Sequence, residues 1–185
     1  RRQRQMCIRD STLNIGPIGV TGSESANHIA QNADVILAVG TRLQDFTTGS
    51  WTAFALDAKF ICLNAGRHDA GKHLAFSIVG DAKLSLEKLS KNLNYVAPKS
   101  WVQLARDERI KWDKYVAENV SAGNQPNSYA QAIGVVNENC DKRDRIVAAA
   151  GGLPAEVTAN WKTLDISTLS YTHLRAHETR EDLVW

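Results

Sequence analysis

The sequence is poor in the features that would mark a membrane, secreted or nucleic-acid-binding protein. No apolar run approaches the roughly 20 residues of a membrane-spanning helix, and the stretch Val35 to Val39 is only strand-sized. Charge of one sign is not in excess: Lys plus Arg number 22 against 20 for Asp plus Glu, a formal net of +2. That balance gives no electrostatic reason to expect nucleic acid or a membrane surface as partner. Only three cysteines occur, Cys7, Cys62 and Cys140, far apart and without CxxC spacing. An odd, scattered set suggests neither a disulfide framework nor a thiolate metal site, and fits a reducing cytoplasm. HExxH, Ser/His/Asp and paired-carboxylate patterns are missing, as are internal repeats and low-complexity tracts. What remains is an ordinary globular composition, 43% hydrophobic and 23% charged over 185 residues, enough for one medium domain or parts of two.

The two ends read differently from the middle. Residues 1–11 open with RRQRQMCIRD, and residues 170–185 read SYTHLRAHETREDLVW. Neither shows apolar periodicity, and the basic start has no continuous apolar segment of the kind a signal peptide needs. Both resemble translated adapter read-through at the edges of assembled sequences, so they are set aside from the fold argument. His173 and His177 stand at i and i+4, but no third ligand accompanies them and no metal site is expected.

The middle carries a clear α/β pattern. Ser23 and Glu24 form a helix-start signal for a short helix to Asn32. Val35 to Val39 reads as a strand buried on both faces of a parallel sheet. A polar loop, Thr41 to Ser50, follows. Lys59 to Asn64 and Phe76 to Val79 read as two further buried strands. Asp81 caps a helix from Ala82 to Leu93 with Leu84, Leu86 and Leu89 on its inner side. This is the later part of a doubly wound α/β domain. Pro98 marks a boundary, and Trp101 to Asn119 reads as an amphipathic linking helix with Trp101, Leu104, Ile110, Trp112 and Tyr115 as its apolar residues. A second α/β unit begins near Asn127 or Ser128, with a helix, a strand from Arg145 to Ala149, a tight turn, and a helix from Ala155 to Trp161. The resulting divisions are 12–97, 98–126 and 127–169.

Three glycine-bearing segments are candidate ligand contacts. Gly16 to Gly22 (GPIGVTG) has glycines at spacing three, which suits either a turn or a backbone approach to phosphate. Gly40 to Trp51 leaves the carboxyl end of a strand, where open α/β sheets hold ligands; Arg42 has a phosphate or Asp45 as its natural partner. Gly151, Gly152, Leu153 and Pro154 follow a strand and precede a helix, so the backbone is open to close approach and the helix start favours an anion. His28, His68 and His73 have no evident partner.

Together these motifs resemble the thiamine-diphosphate-dependent enzymes. ADVILAVGTRLQDFTTGSW (Ala33 to Trp51) is similar to the central-domain signature of the acetohydroxyacid synthase type, and KFICLNAGRHDAGKH followed by SIVGDA to the next strand–loop–strand. GPIGVTG, TRLQDFTTGSW and AAGGLPAEVTANW together resemble the ring-opening hydrolase branch, which acts on a cyclic 1,2-diketone of myo-inositol catabolism. The resemblance implies three α/β domains in the family, of which this chain holds the later central domain, a linker and the start of the diphosphate-binding domain. It implies thiamine diphosphate with Mg²⁺ in the full-length protein, a small cyclic diketone as substrate, a cytoplasmic homo-oligomer, and an inactive fragment here, with no catalytic residue in this stretch. Gly151, Gly152, Leu153 and Pro154 become the expected cofactor contacts. Asn64-Ala65-Gly66 stands where flavin-holding synthases have an acidic pattern. Two other readings stay open: a carboligase or decarboxylase like acetolactate synthase, and a non-catalytic nucleotide-binding module.

Overall fold

A computed structural model describes residues 13–121, 128–141, 144, 146–148, 152–162 and 169–171. The terminal segments set aside above lie outside these residues, except that Ser170 and Tyr171 end a short strand. The elements run α1 (Glu24–Gln31), β1 (Val35–Val39), α2 (Asp45–Thr48), β2 (Lys59–Asn64), α3 (Arg67–Ala70), a 3₁₀ turn (Lys72–Leu74), β3 (Phe76–Val79), α4 (Ala82–Asn92), α5 (Lys99–Val120), α6 (Tyr129–Asn139), β4 (Ile146–Ala148), α7 (Gly152–Asn160) and β5 (Leu169–Tyr171).

β1, β2 and β3 form one parallel sheet in that order, with Leu37 level with Ile61 and Ile61 level with Phe76. β4 and β5 pair in parallel as a second, two-stranded sheet. The α/β class read from the sequence is therefore the observed one. Local chemistry explains the boundaries. Ser23 caps α1 by accepting from the Ala26 N–H at 3.1 Å. Asp81 caps α4 through the Leu84 N–H at 2.9 Å. Ser128 caps α6 through the Gln131 N–H at 3.2 Å. Each side-chain oxygen satisfies a helix N–H that has no partner within the helix.

One face of the three-stranded sheet carries a core. Ala30, Ala53 and Phe54 pack with Ile18, Ile36, Trp51 and Phe60, and next to them Ala38, Leu43 and Cys62 form a continuous cluster. Burial pushes the Cys62 thiol above its ordinary range, so it is an inert packing group.

The opposite face corrects the expectation of strands buried on both sides. Leu37 is 41% exposed and its row-mate Phe76 is 70% exposed. β1 is an edge strand, and β3 has no strand beyond it among the described residues. The inner side expected for α4 is also open: Leu84, Leu86 and Leu89 are 66%, 39% and 40% exposed. The apolar periodicity is real, but α4 meets little beyond β2. α5 differs in the same way. Ile110 and Tyr115 face solvent, while Ala105 and the carboxylate residue Glu108 are its buried positions.

A second core joins α6 and α7 through Ile133, Val157 and Trp161, with Cys140 and Ile146 against it. α5 connects the two units, packing on α1 and on α6. Gly134 in α6 lies so close to α5 that a Cβ there would sit 2.3 Å from the Val120 carbonyl oxygen. Among the described residues no helix is long and apolar enough to cross a membrane.

Candidate functional site

The carboxyl edge of the parallel sheet is the first candidate. Gly40 leaves β1 with φ +64, and its N–H donates to the Leu63 carbonyl at 2.9 Å. Asn64, at the end of β2, donates through Nδ2 to the Thr41 carbonyl at 3.0 Å, and its Oδ1 accepts from the Gly66 N–H at 2.9 Å. The loop after β1 is thus fastened to the loop after β2. Lys72 adds a second fastening, donating to the Arg42 carbonyl at 3.3 Å and pairing with Asp69 at 2.7 Å. The Lys72 hydrogen bond, helped by the charges of Lys72, His68 and Arg42, holds the Asp69 carboxyl below its usual range.

With the Gln44 amide turned so that its oxygen faces the guanidinium, Arg42 donates to it from Nε at 3.1 Å and from Nη2 at 2.9 Å. Of the two partners the sequence offered, a phosphate or Asp45, the carboxylate is not the one met, since Asp45 begins the short helix α2. A four-residue helix inside the Thr41 to Ser50 loop had no periodicity long enough to be read. Trp51 closes this region: its ring lies 3.4 Å from that of His73 and packs on Phe54 and Phe60 at 5.7 and 5.3 Å. His73 thus has an aromatic partner, while Asp69 and Lys72 pair with each other across a turn.

The glycine loop 16–22 resolves toward its turn reading. The Gly16 N–H donates to Asn14 Oδ1 and the Gly19 N–H to Asn27 Oδ1, at 3.1 and 2.8 Å. Those of Val20, Gly22 and Ser23 go to carbonyls of Phe46, Gly19 and Pro17. These donors are already taken up by partners within the chain. Gly19 has φ +108, and a Cβ there would lie 2.0 Å from the Phe46 carbonyl oxygen. The glycine lets this loop seat on α2, so the structure brings two of the three segments together.

The third segment lies in the other unit. Gly151 is outside the described residues. Gly152, Leu153 and Pro154 are the first turn of α7 rather than a tight turn preceding a helix at Ala155. The reason is local: Pro in a first helical turn lacks only an N–H that would be unpaired there anyway. Leu153 is 48% exposed. Glu156, in the same helix, accepts from Asn160 Nδ2 at 2.8 Å. A helix start with a glycine suits an anionic group, because the first N–H groups of any helix have no partner within it. Among the described residues no cluster of His, Cys, Asp and Glu could hold a metal ion.

One buried ionic group was not legible from the sequence. Glu108 on α5 has an 8% exposed side chain, accepts from Lys111 Nζ at 2.6 Å, and faces His28 Nδ1 on α1 at 3.3 Å. The Lys111 hydrogen bond is the chief cause that holds its carboxyl below the ordinary range, and the same bond raises Lys111. The i,i+3 spacing of Glu108 and Lys111 could have been read on a helix; His28, eighty positions earlier, could not.

Residues 2–89 match the family described as thiamine pyrophosphate enzyme, central domain. Curated proteins named 3D-(3,5/4)-trihydroxycyclohexane-1,2-dione hydrolase are similar over most of the chain. The one from Clostridium perfringens (strain 13 / Type A) is 35% identical over 181 aligned positions, covering 82% of this chain and 28% of the relative. Those from Geobacillus thermodenitrificans and Bacillus subtilis (strain 168) are 34% and 31% identical, covering 84% and 82% of this chain and 28% of each relative. The chain thus spans under a third of the length of the curated relatives it matches.

Proposed function

We propose that this chain, which belongs to the thiamine pyrophosphate enzymes and matches their central domain over residues 2–89, is part of a thiamine-diphosphate-dependent hydrolase that opens the ring of trihydroxycyclohexane-1,2-dione. The observation that carries this reading is the reach of the similarity. The central-domain match ends at residue 89, whereas hydrolase-named relatives align over 82% of the chain, through the linker helix and into the second α/β unit.

On this reading residues 12–97 are the later central domain, 98–126 the linker, and 127–169 the start of the diphosphate-binding domain. Gly151, Gly152, Leu153 and Pro154 then face the cofactor. Their contribution is backbone: N–H groups at a helix start, a glycine that admits close approach, and an apolar Leu153 beside it. The bound cofactor supplies the electron sink for carbon–carbon cleavage, and the protein supplies placement and electrostatics. Mg²⁺ anchoring of the diphosphate, a homo-oligomeric assembly and a cytoplasmic setting belong to the same proposal. So does the inactivity of this chain alone, which aligns with only 28% of its relative's length.

The N–H groups of the 16–22 loop that are hydrogen-bonded within the chain do not favour the nucleotide-module alternative. Product analysis of the longer protein separates the remaining readings. Ring-opened acid from the cyclic dione supports the hydrolase; acetolactate from pyruvate, with no turnover of the dione, supports a carboligase and overturns it.

A further inference from the structure

The two α/β units meet through α5, and side-chain contacts of two kinds fix that helix on the first unit. Glu108 is a buried carboxylate with partners on two helices, His28 Nδ1 on α1 at 3.3 Å and Lys111 Nζ on α5 at 2.6 Å. Its neighbour Arg109 donates through Nη1 to the Asn14 carbonyl. Its Nε donates to both carboxylate oxygens of Asp113 at 2.8 Å, which holds the guanidinium in place. Asn14 in turn accepts from the Gly16 N–H at the start of the glycine loop. The far end of α5 is fixed differently, by steric closeness. Gly134 of α6 sits against Val120 with no room for a side chain, and α6 shares the Ile133, Val157 and Trp161 core with α7.

This arrangement is a strut with one ionic end and one packed end. A close-packed end of this kind transmits rigid-body movement, because packed helices shift as units. The ionic end is the adjustable one. A buried carboxylate left without its partners is strongly unfavourable, so its contacts fix one docking angle rather than a range.

We propose that Glu108 and Arg109 are positioning residues. They set the angle of α5 on the first unit, and through α6 and α7 they set where the Gly152–Pro154 turn stands relative to the parallel sheet. The consequence for cofactor rests on the reading of that turn given above; the geometric claim does not.

The test uses this chain with Cys7, Cys62 and Cys140 replaced by Ala and nitroxide labels introduced through Lys88→Cys on α4 and Glu138→Cys on α6. With the labelled chain diluted into an excess of unlabelled cysteine-free chain, so that only distances within one copy register, pulsed electron resonance reads the distance between the units. The expected result is one narrow distribution that is lost in the Glu108→Ala/Arg109→Ala variant, partly kept in Glu108→Gln, and accompanied by unchanged helical circular dichroism. A distribution equally narrow in the folded double variant overturns the proposal. Should Glu108→Ala lower the helical signal, His28→Ala and Arg109→Ala supply the same reading from the partners' side: broadening supports the strut, and an unchanged distribution overturns it. Calorimetry with thiamine diphosphate on the longer protein separates the two claims. Broadened distances with unchanged cofactor affinity leave the strut standing and overturn the cofactor-facing turn.

Discussion

Asn64 donates its side-chain amide to the Thr41 carbonyl at 3.0 Å while its Oδ1 accepts from the Gly66 N–H at 2.9 Å. A single neutral side chain therefore joins the ends of two neighbouring strands. Asn64→Ala leaves both groups without their partner and is expected to destabilise the chain by about 1–2 kcal/mol. Asn64→Asp keeps the acceptor for Gly66 but sets a carboxylate against the Thr41 carbonyl, so it too should destabilise at neutral pH. Urea midpoints of the three proteins at pH 7 check both directions.

Gly19 and Gly40 share a positive φ but not surroundings. A Cβ at Gly19 would lie 2.0 Å from the Phe46 carbonyl oxygen, whereas nothing lies within 4 Å of one at Gly40. Gly40→Ala should therefore show only the left-handed backbone penalty, about 1 kcal/mol. Gly19→Ala adds a forced movement of the loop off α2 and should cost about 2 kcal/mol or more. Equal losses in denaturant titration would mean that the 16–22 loop is not seated on α2.

The Glu108 carboxyl is held below its ordinary range chiefly by the Lys111 hydrogen bond. A folded-state value lower than the unfolded one gives stability that is fully present above the unfolded value, about 4.3 for Glu. That stability is lost as pH falls through the lowered folded value. Glu108→Gln should therefore be less stable at pH 7 and show a shallower loss of stability between neutral and acid pH. Thermal midpoints across pH 3 to 7 test this; parallel curves for the two proteins would contradict the assignment.

Leu37, Ile61 and Phe76 stand in one row across the sheet, and Leu37 and Phe76 are 41% and 70% exposed. An open apolar groove of about 730 Å³ borders the β1 edge, lined in part by Leu13, Ile18, Val35 and Phe54. Exposed apolar strands at a sheet edge promote association. The purified chain should self-associate with rising concentration, and Leu37→Lys/Phe76→Lys should reduce that association. Light scattering that is flat with concentration for the unsubstituted chain would count against this account of the exposed face.

The strands and the long helices were legible because their signals are local. Val35 to Val39, Lys59 to Asn64 and Phe76 to Val79 are short apolar runs ended by polar or glycine residues, and Ser23, Asp81 and Ser128 announce their helices by side-chain chemistry. Position in the sheet was not legible. An apolar strand reads the same whether its second face is covered or open, which is why Leu37, Phe76 and the leucines of α4 were expected inside. Gly152 to Pro154 were read as a tight turn preceding the helix and are instead its first turn, because Pro154 fits both. Contacts between distant segments left no trace in spacing: His28 with Glu108 and the seating of Gly19 on Phe46 both depend on how the chain returns on itself.

The central claim is that the first turn of α7 faces thiamine diphosphate in the longer protein. Gly152→Val in that protein places a β-branched side chain where close backbone approach is required. Calorimetric titration of thiamine diphosphate with Mg²⁺ into the wild-type and Gly152→Val proteins tests it most directly. The account predicts at least about tenfold weaker binding, roughly 1.4 kcal/mol, with the fold intact by circular dichroism. Unchanged affinity in a folded variant would contradict it and make the turn purely structural.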